Sequence, residues 1–249
     1  MSIKNKSESA NYANNRITVD YFQSDLYELF LGPKKNRTSK WHHYFPVYDH
    51  HFSRFRGKAP TVVEIGVAGG GSLEIWRKYF GADARIIGID INPTCVQYRG
   101  EGTEIIIGDQ SDKLFLQDAA KQIGTADIII DDGGHTAVQT INTFEELFPV
   151  VKNLGVYLVE DLQTSLWPQY NDRVDGTTFL DIAKGIAEKL TWWHITPNNM
   201  RFKTPPSDRD KNKPPKTPDI TRRVWSVSFY DSIVVFEKRD IPEPWNDRR

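Results

Sequence analysis

Between Pro60 and Val159 one pattern recurs: a short run dominated by Val and Ile, a turn, an amphipathic stretch, then another apolar run. The apolar runs fall at 62–67, 85–91, 104–107, 127–130 and 156–159. Each is four to seven residues long with little polar alternation, as in strands buried on both faces. The stretches between them, 72–79, 111–122 and 136–151, have helical spacing. Strand and helix in alternation predict a parallel, doubly wound sheet with helices on both faces. After residue 159 the pattern changes to a helix over 179–192, a Pro- and Lys-rich loop over 204–219, and an antiparallel hairpin over 224–238 that turns at Tyr230-Asp231-Ser232. The fold class is therefore α/β and Rossmann-like, with parallel strands closed by a C-terminal antiparallel hairpin. Upstream, 19–31 suits a short helix ended by Gly32-Pro33, followed by a basic stretch and the aromatic segment 41–48. Two regions follow: 1–59, a tail and a lid or oligomerisation segment with helical and aromatic character, and 60–249, the α/β domain. The 249 residues suffice for one such domain.

Several partners are excluded at this stage. A formal net charge of −1 provides no overall field for nucleic acid or an anionic membrane. No run of about 18 apolar residues is present to span a bilayer. The polar residues 1–16 lack the apolar segment of a signal peptide. The single cysteine, Cys95, cannot form an intramolecular disulfide or a thiolate metal cluster. A cytoplasmic setting fits. Apolar surface expected from 41–55 and from Trp192-Trp193 suggests a homo-oligomer.

The first strand–helix junction reads Glu64-Ile65-Gly66-Val67-Ala68-Gly69-Gly70-Gly71-Ser72. Glycines here allow positive φ and close approach of a ligand to the backbone, and the helix start beyond them offers unpaired N–H groups. The spacing does not match G-x-G-x-x-G, which argues against a pyrophosphate-bearing dinucleotide. The second strand ends in Asp90, where a carboxylate takes a ribose diol. The third ends Gly108-Asp109-Gln110, where enzymes using S-adenosylmethionine (SAM) commonly hold adenine. Gly66, Ser72, Asp90, Asp109 and Gln110 are thus candidates for a nucleoside site, with SAM favoured over NAD.

The fourth strand ends Asp131-Asp132-Gly133-Gly134-His135 and the fifth Glu160-Asp161. Acids at adjacent strand ends converge in the crevice where open α/β sheets bind ligands. Asp132, Glu160 and Asp161 would repel one another unless a cation lay between them, and an all-oxygen set suits Mg²⁺ first, then Mn²⁺ or Ca²⁺. Helix capping accounts for one such acid, but not for two apolar strands that both end in acid pairs. Methyl transfer to a hydroxyl needs its proton removed. Metal coordination lowers the hydroxyl pKa and a nearby histidine takes the proton, so Asp132 and His135 are the candidate catalytic pair.

These residues make the chain resemble the metal-dependent sugar O-methyltransferases of macrolide and related antibiotic biosynthesis, the mycinamicin and demethylmacrocin type. The resemblance is carried by Tyr44-x-x-x-Tyr48, Val63-Glu64-Ile65-Gly66, Gly70-Gly71-Ser72-Leu73, Gly88-Ile89-Asp90, Gly108-Asp109-Gln110-Ser111-Asp112, Asp131-Asp132-Gly133-Gly134-His135, Val159-Glu160-Asp161-Leu162 and Phe229-Tyr230-Asp231-Ser232. It implies Mg²⁺ on Asp132, Glu160 and Asp161, with His135 as base. It further implies SAM contacts from Glu64, Asp90 and Asp109, closure by Tyr44 and Tyr48, and Asp131 beside the methionine moiety. The implied acceptor is a small hydroxylated molecule, a sugar or glycoside. Gly134 stands where the family usually has Ser, and the extra N-terminal domain of the larger members has no counterpart in the sequence. The loop 204–219 also lacks one; an acceptor lid and a plain surface loop both fit it. A non-sugar acceptor such as a polyketide hydroxyl or a β-lactam, or a non-catalytic SAM-binding scaffold, stays open as an alternative.

Overall fold

The computed structural model describes residues 24–100, 102–195, 200–209 and 216–246. Five parallel strands, β1 (Thr61–Ile65), β2 (Arg85–Asp90), β3 (Thr103–Ile107), β4 (Ala126–Asp131) and β5 (Val151–Val159), are joined by a hairpin of β6 (Val224–Tyr230) and β7 (Ile233–Lys238). The sheet order is β3-β2-β1-β4-β5-β7-β6, with β7 antiparallel to β5. The described helices are α1 (Asp25–Leu31), α2 (Phe45–Phe52), α3 (Gly71–Phe80), α4 (Lys113–Ile123), α5 (Ala137–Leu147), α6 (Phe179–Lys189) and α7 (Asp219–Arg223).

Local chemistry sets the helix ends. Ser24 begins α1 by accepting the Tyr27 N–H at 3.1 Å, and residues 19–23 of the expected helix lie outside the described part. Asp112 moves the start of α4 to Lys113 by accepting the N–H groups of Leu114 and Phe115. The helix expected over 136–151 stops at Leu147, because Pro149 supplies no N–H and disfavours helical geometry before it. Val151 instead opens β5, five residues earlier than expected. Likewise α6 ends at Lys189, short of residue 192.

Side chains alternate across the sheet, so each strand feeds two cores. One face gathers Val62, Ile86, Ile128, Ile130 and Leu158 under α1, α2 and α3. The other gathers Val63, Ile87, Ile129, Tyr157 and Phe236 under α4, α5 and α6. The aromatic segment expected at the surface belongs to the first core. Tyr48 stacks on Phe52 with ring centroids 5.8 Å apart and meets Trp76 of α3 edge-on at 5.5 Å. Burying Phe45 and Phe52 contributes roughly 1.5–3 kcal/mol each. Among the Trp, Tyr and Phe side chains of 41–55, Trp41 alone is exposed, and Trp193 is buried as well. The expectation of an apolar surface there is corrected: these rings cover the sheet. In the loop expected over 204–219, Arg209 packs over Phe202 and pairs with Glu243, while 210–215 lie outside the described residues. None of the described helices is long and apolar enough to cross a membrane.

His51 ties α2 to the hairpin. It is buried, with Nε2 3.0 Å from the Tyr230 hydroxyl and Nδ1 3.3 Å from Glu237. Burial pushes its pKa below the ordinary 6.5, against the opposing pull of Glu237. A histidine depressed in the folded state contributes stability that is fully present above pH 6.5 and is lost as pH falls through the folded pKa. His51→Gln is therefore expected to lose less stability than the parent between about pH 7 and pH 5. Urea melts of both proteins across that range check this, and parallel pH profiles would contradict it.

Candidate active site

Strand parity decides which acids meet. Glu64 lies on the α3 side of β1 with Val62, and Glu160, one step past β5, continues the side of Val156 and Leu158. Asp131 ends β4 on the opposite side, where Gln110 Nε2 donates to its Oδ1 at 2.6 Å and the Tyr157 hydroxyl lies 3.5 Å from Oδ2. Burial raises the Asp131 pKa to about 7, with the Gln110 bond working against the rise. Gln110 also accepts the Gly134 N–H at 3.0 Å, so it clamps the Gly133-Gly134 turn to the sheet end. Asp131 and Gln110, expected at the cofactor, are thus both buried and bonded to each other.

On the other side, a residue that sequence reasoning missed completes the cluster. The Lys40 ammonium lies 2.5 Å from Asp132 Oδ2, 2.8 Å from Glu160 Oε1 and 3.5 Å from Glu64 Oε1. Its side chain is 5% exposed, and those of Glu64 and Glu160 are 0% and 1% exposed. Burial would depress the Lys40 pKa, but the charges of Asp132, Glu160 and Glu64 outweigh it and hold the ammonium charged. Burial also raises Glu64 and Glu160, with Asp132 pushing Glu160 further and Lys40 opposing both shifts. Ser72 donates to Glu64 Oε2 at 2.6 Å. The missed signal was the basic stretch before the aromatic segment, which as sequence is indistinguishable from a solvated loop.

Two residues of this site hold backbone conformations that glycine usually takes. His135 has φ of +60° and Asp161 of +51°. Left-handed non-glycine residues carry strain and cluster at functional sites. The turn at Asp161 takes its carboxylate off the strand's alternation and onto Tyr44, whose hydroxyl donates to Oδ1 at 2.6 Å. His135 Nε2 stands 3.6 Å from Asp161 Oδ2 and 3.9 Å from Asp132 Oδ1. Ligand atoms of Asp132, His135 and Asp161 all lie within 4.8 Å of one another. Glu160, the third expected metal ligand, has its Oε1 on Lys40 instead. Tyr48 is fully buried below the acids, and burial followed by the Glu160 and Asp132 charges pushes its pKa up. The carboxylate oxygens of Asp132 and Asp161 suit a hard divalent ion of the Mg²⁺ or Mn²⁺ kind, with His135 Nε2 beside them.

The nucleoside side adjoins this cluster. Asp90 Oδ2 accepts the N–H groups of Val67 and Ala68 at 2.8 and 2.9 Å, and Oδ1 accepts that of Asn92 at 2.8 Å. Asp90 therefore shapes the glycine loop, and its remaining lone pairs face a cleft of about 250 Å³ lined also by Gly66, Asp109 and Asp132. Asp109 accepts the N–H and hydroxyl of Ser111. A second cleft of about 690 Å³ shares Gly66, Ala68 and Asp132 and adds Lys40 and Ser72. The two form a path from the β2 and β3 ends to the acids.

No family model matches the sequence. The 8-demethyl-8-alpha-L-rhamnosyl tetracenomycin-C 2'-O-methyltransferase of Streptomyces olivaceus is 36% identical over 214 residues, which cover 82% of this chain and 53% of that protein. Mycinamicin VI 2''-O-methyltransferase of Micromonospora griseorubida is 31% identical over 227 residues, covering 86% and 52%. Among solved structures, the MycE methyltransferase of the mycinamycin biosynthetic pathway, in complex with Mg and SAH, is similar with a TM-score of 0.72 and 28% identity, over 89% of this chain and 56% of that one. This chain is a homologue of the antibiotic sugar O-methyltransferases. It spans about half the length of the curated relatives it matches. The homologous fold explains the parallel sheet with its closing hairpin, and the glycine loop, acids and His135 all lie at one end of that sheet.

One glycine of this O-methyltransferase homologue has no substitute. Gly66 has φ of +92°, and a Cβ there would fall 2.0 Å from the Asp132 carbonyl oxygen. Gly66→Ala is expected to cost about 3 kcal/mol or more, from backbone strain plus overpacking at the junction of β1 and β4. Urea denaturation measures it, and a loss below about 1 kcal/mol would contradict the close approach.

Proposed function

We propose that this protein is a SAM-dependent, divalent-metal-assisted O-methyltransferase acting on a hydroxyl of a sugar or glycosylated natural product, with His135 as general base. The observation that carries the reading is the convergence of Asp132, His135 and Asp161 around a point that the adjoining cleft reaches. Homology to enzymes named for methylating rhamnosyl tetracenomycin and mycinamicin, and to a structure solved with Mg and SAH, supports the acceptor class and both cofactors.

In this reading Asp132, Glu160 and Asp161 hold the ion, Mg²⁺ or Mn²⁺. Gly66, Ser72, Asp90, Asp109 and Gln110 line the SAM cleft, with Tyr44, Tyr48, Glu64 and Asp131 supporting its walls. Mg²⁺ would acidify the acceptor hydroxyl, and SAM would present the methyl group on a sulfonium. His135 Nε2 would take the hydroxyl proton, and SAM, when bound, would supply the methyl group and leave as the thioether. Asp161 and Asp132, on either side of Nε2, stabilise the imidazolium so formed. Tyr44 fixes Asp161 from below.

From 1–59, Lys34 and residues 36–40 line the larger cleft as a lid segment, and 60–249 supplies the methyltransferase domain. The protein acts in the cytoplasm, away from nucleic acid and membrane. It works as a homo-oligomer, for which the edge strand β6 offers exposed Trp225 and Phe229.

The test is release of S-adenosylhomocysteine from SAM with Mg²⁺ and a rhamnosylated polyketide acceptor. EDTA is expected to abolish turnover. His135→Ala is expected to lower kcat by about 10²–10⁴-fold with little change in S-adenosylhomocysteine affinity by calorimetry. Turnover that survives both EDTA and Asp132→Asn would overturn the metal-assisted mechanism.

A further inference from the structure

The Lys40 ammonium and a divalent ion make the same demand on Asp132 and Glu160. The ammonium lies 2.5 and 2.8 Å from an oxygen of each, whereas Mg²⁺ or Mn²⁺ binds carboxylate oxygens at about 2.0–2.2 Å. An ion on those oxygens would lie a few ångströms from Nζ, where the Lys40 and Glu160 side chains are 5% and 1% exposed and two cations repel. The two compete for those oxygens. We propose that Lys40 is a displaceable internal counter-cation: its ammonium offsets part of the charge of Asp132, Glu160 and Glu64 in the metal-free protein, and the divalent ion evicts it from Asp132 and Glu160 on binding. This rests on the metal reading above.

The surroundings allow the exchange. Residues 32–41, between α1 and α2, lie along the glycine loop as a strap, and its backbone is anchored without Lys40. Arg37 carbonyl accepts the Gly71 N–H at 2.9 Å, and the N–H groups of Lys35 and Asn36 each reach Glu74 Oε2 at 3.1 Å. The strap therefore stays in place while the flexible Lys40 side chain rotates away. Its exit is the cleft of about 690 Å³ that Lys40 already lines together with Gly66, Ser72 and Asp132. Eviction then costs the lysine its carboxylate partners but leads to solvent, not to an apolar wall.

Two measurements test this on the full chain without SAM or acceptor. Calorimetric titration with Mn²⁺ compares the parent with Lys40→Met, which fills similar space without charge, and binding is expected to tighten at least tenfold in the variant. Acetylation of Lys40 by acetic anhydride, followed by mass spectrometry on the parent protein, needs no variant. Modification is expected to be slow in EDTA and at least tenfold faster with saturating Mn²⁺, while exposed lysines such as Lys121 react equally in both. Unchanged or weaker Mn²⁺ binding in a folded Lys40→Met protein overturns the inference, as does equal protection of Lys40 with and without bound Mn²⁺. If Lys40→Met does not fold, the acetylation result decides. If Mn²⁺ binds neither protein, the metal reading itself fails and takes this inference with it, whereas equal binding to both removes the inference alone.

Discussion

Glu64, Asp132 and Glu160 come from three different strand ends and point into one small volume, and the Lys40 ammonium lies between them. Buried carboxylates of like sign repel strongly where water is excluded, so the C-terminal edge of the sheet closes over this cluster only with a cation or with protonation of an acid. That requirement organises what surrounds it. It draws the strap between α1 and α2 across the glycine loop, and it sets Tyr48 beneath Glu160. It also defines the space that a ligand must enter. A buried ion pair of this kind is weak evidence for stability, because desolvation offsets much of the attraction; its value here lies in holding charges ready for exchange.

The second organising constraint is the two-residue period of the strands. The sequence carries two acid pairs, Asp131-Asp132 and Glu160-Asp161, and within each pair the members diverge. Asp131 turns under the sheet to Gln110 and Tyr157, while Asp132 turns over it to Lys40. Glu160 continues the β5 alternation, and the left-handed turn at Asp161 then directs its carboxylate to Tyr44 and His135. His135, also left-handed, brings its ring back over the same point. Both strained turns follow fully buried strand segments, Ile128–Asp131 and Val156–Val159, which provide the rigidity that holds them.

Much of this was legible beforehand. Short Val- and Ile-rich runs bounded by glycines and acids suit strands buried on both faces of a parallel sheet, so the sheet type, the closing hairpin and the position of the acids at one end followed from pattern. The boundaries that shifted have local causes: Pro149 ends α5 early, and Asp112 delays α4. The aromatic segment 41–55 was legible as apolar, but not its burial, since the rings of Tyr48 and Phe52 find Trp76 through the fold and not through spacing.

The sequence by itself determined the fold class, the glycine loop and the set of acids from which the site is built, because these depend on local periodicity and on residue types at strand ends. Tertiary structure alone decided which acids share a cavity, that Gln110 and Asp131 serve each other, and that Lys40, 92 residues from Asp132 and 120 from Glu160, is their cation. The physical reason is that charge pairing acts through space. A lysine in a polar loop has the same local sequence whether it faces water or three carboxylates, and only the closed fold removes the water that would otherwise make the difference small.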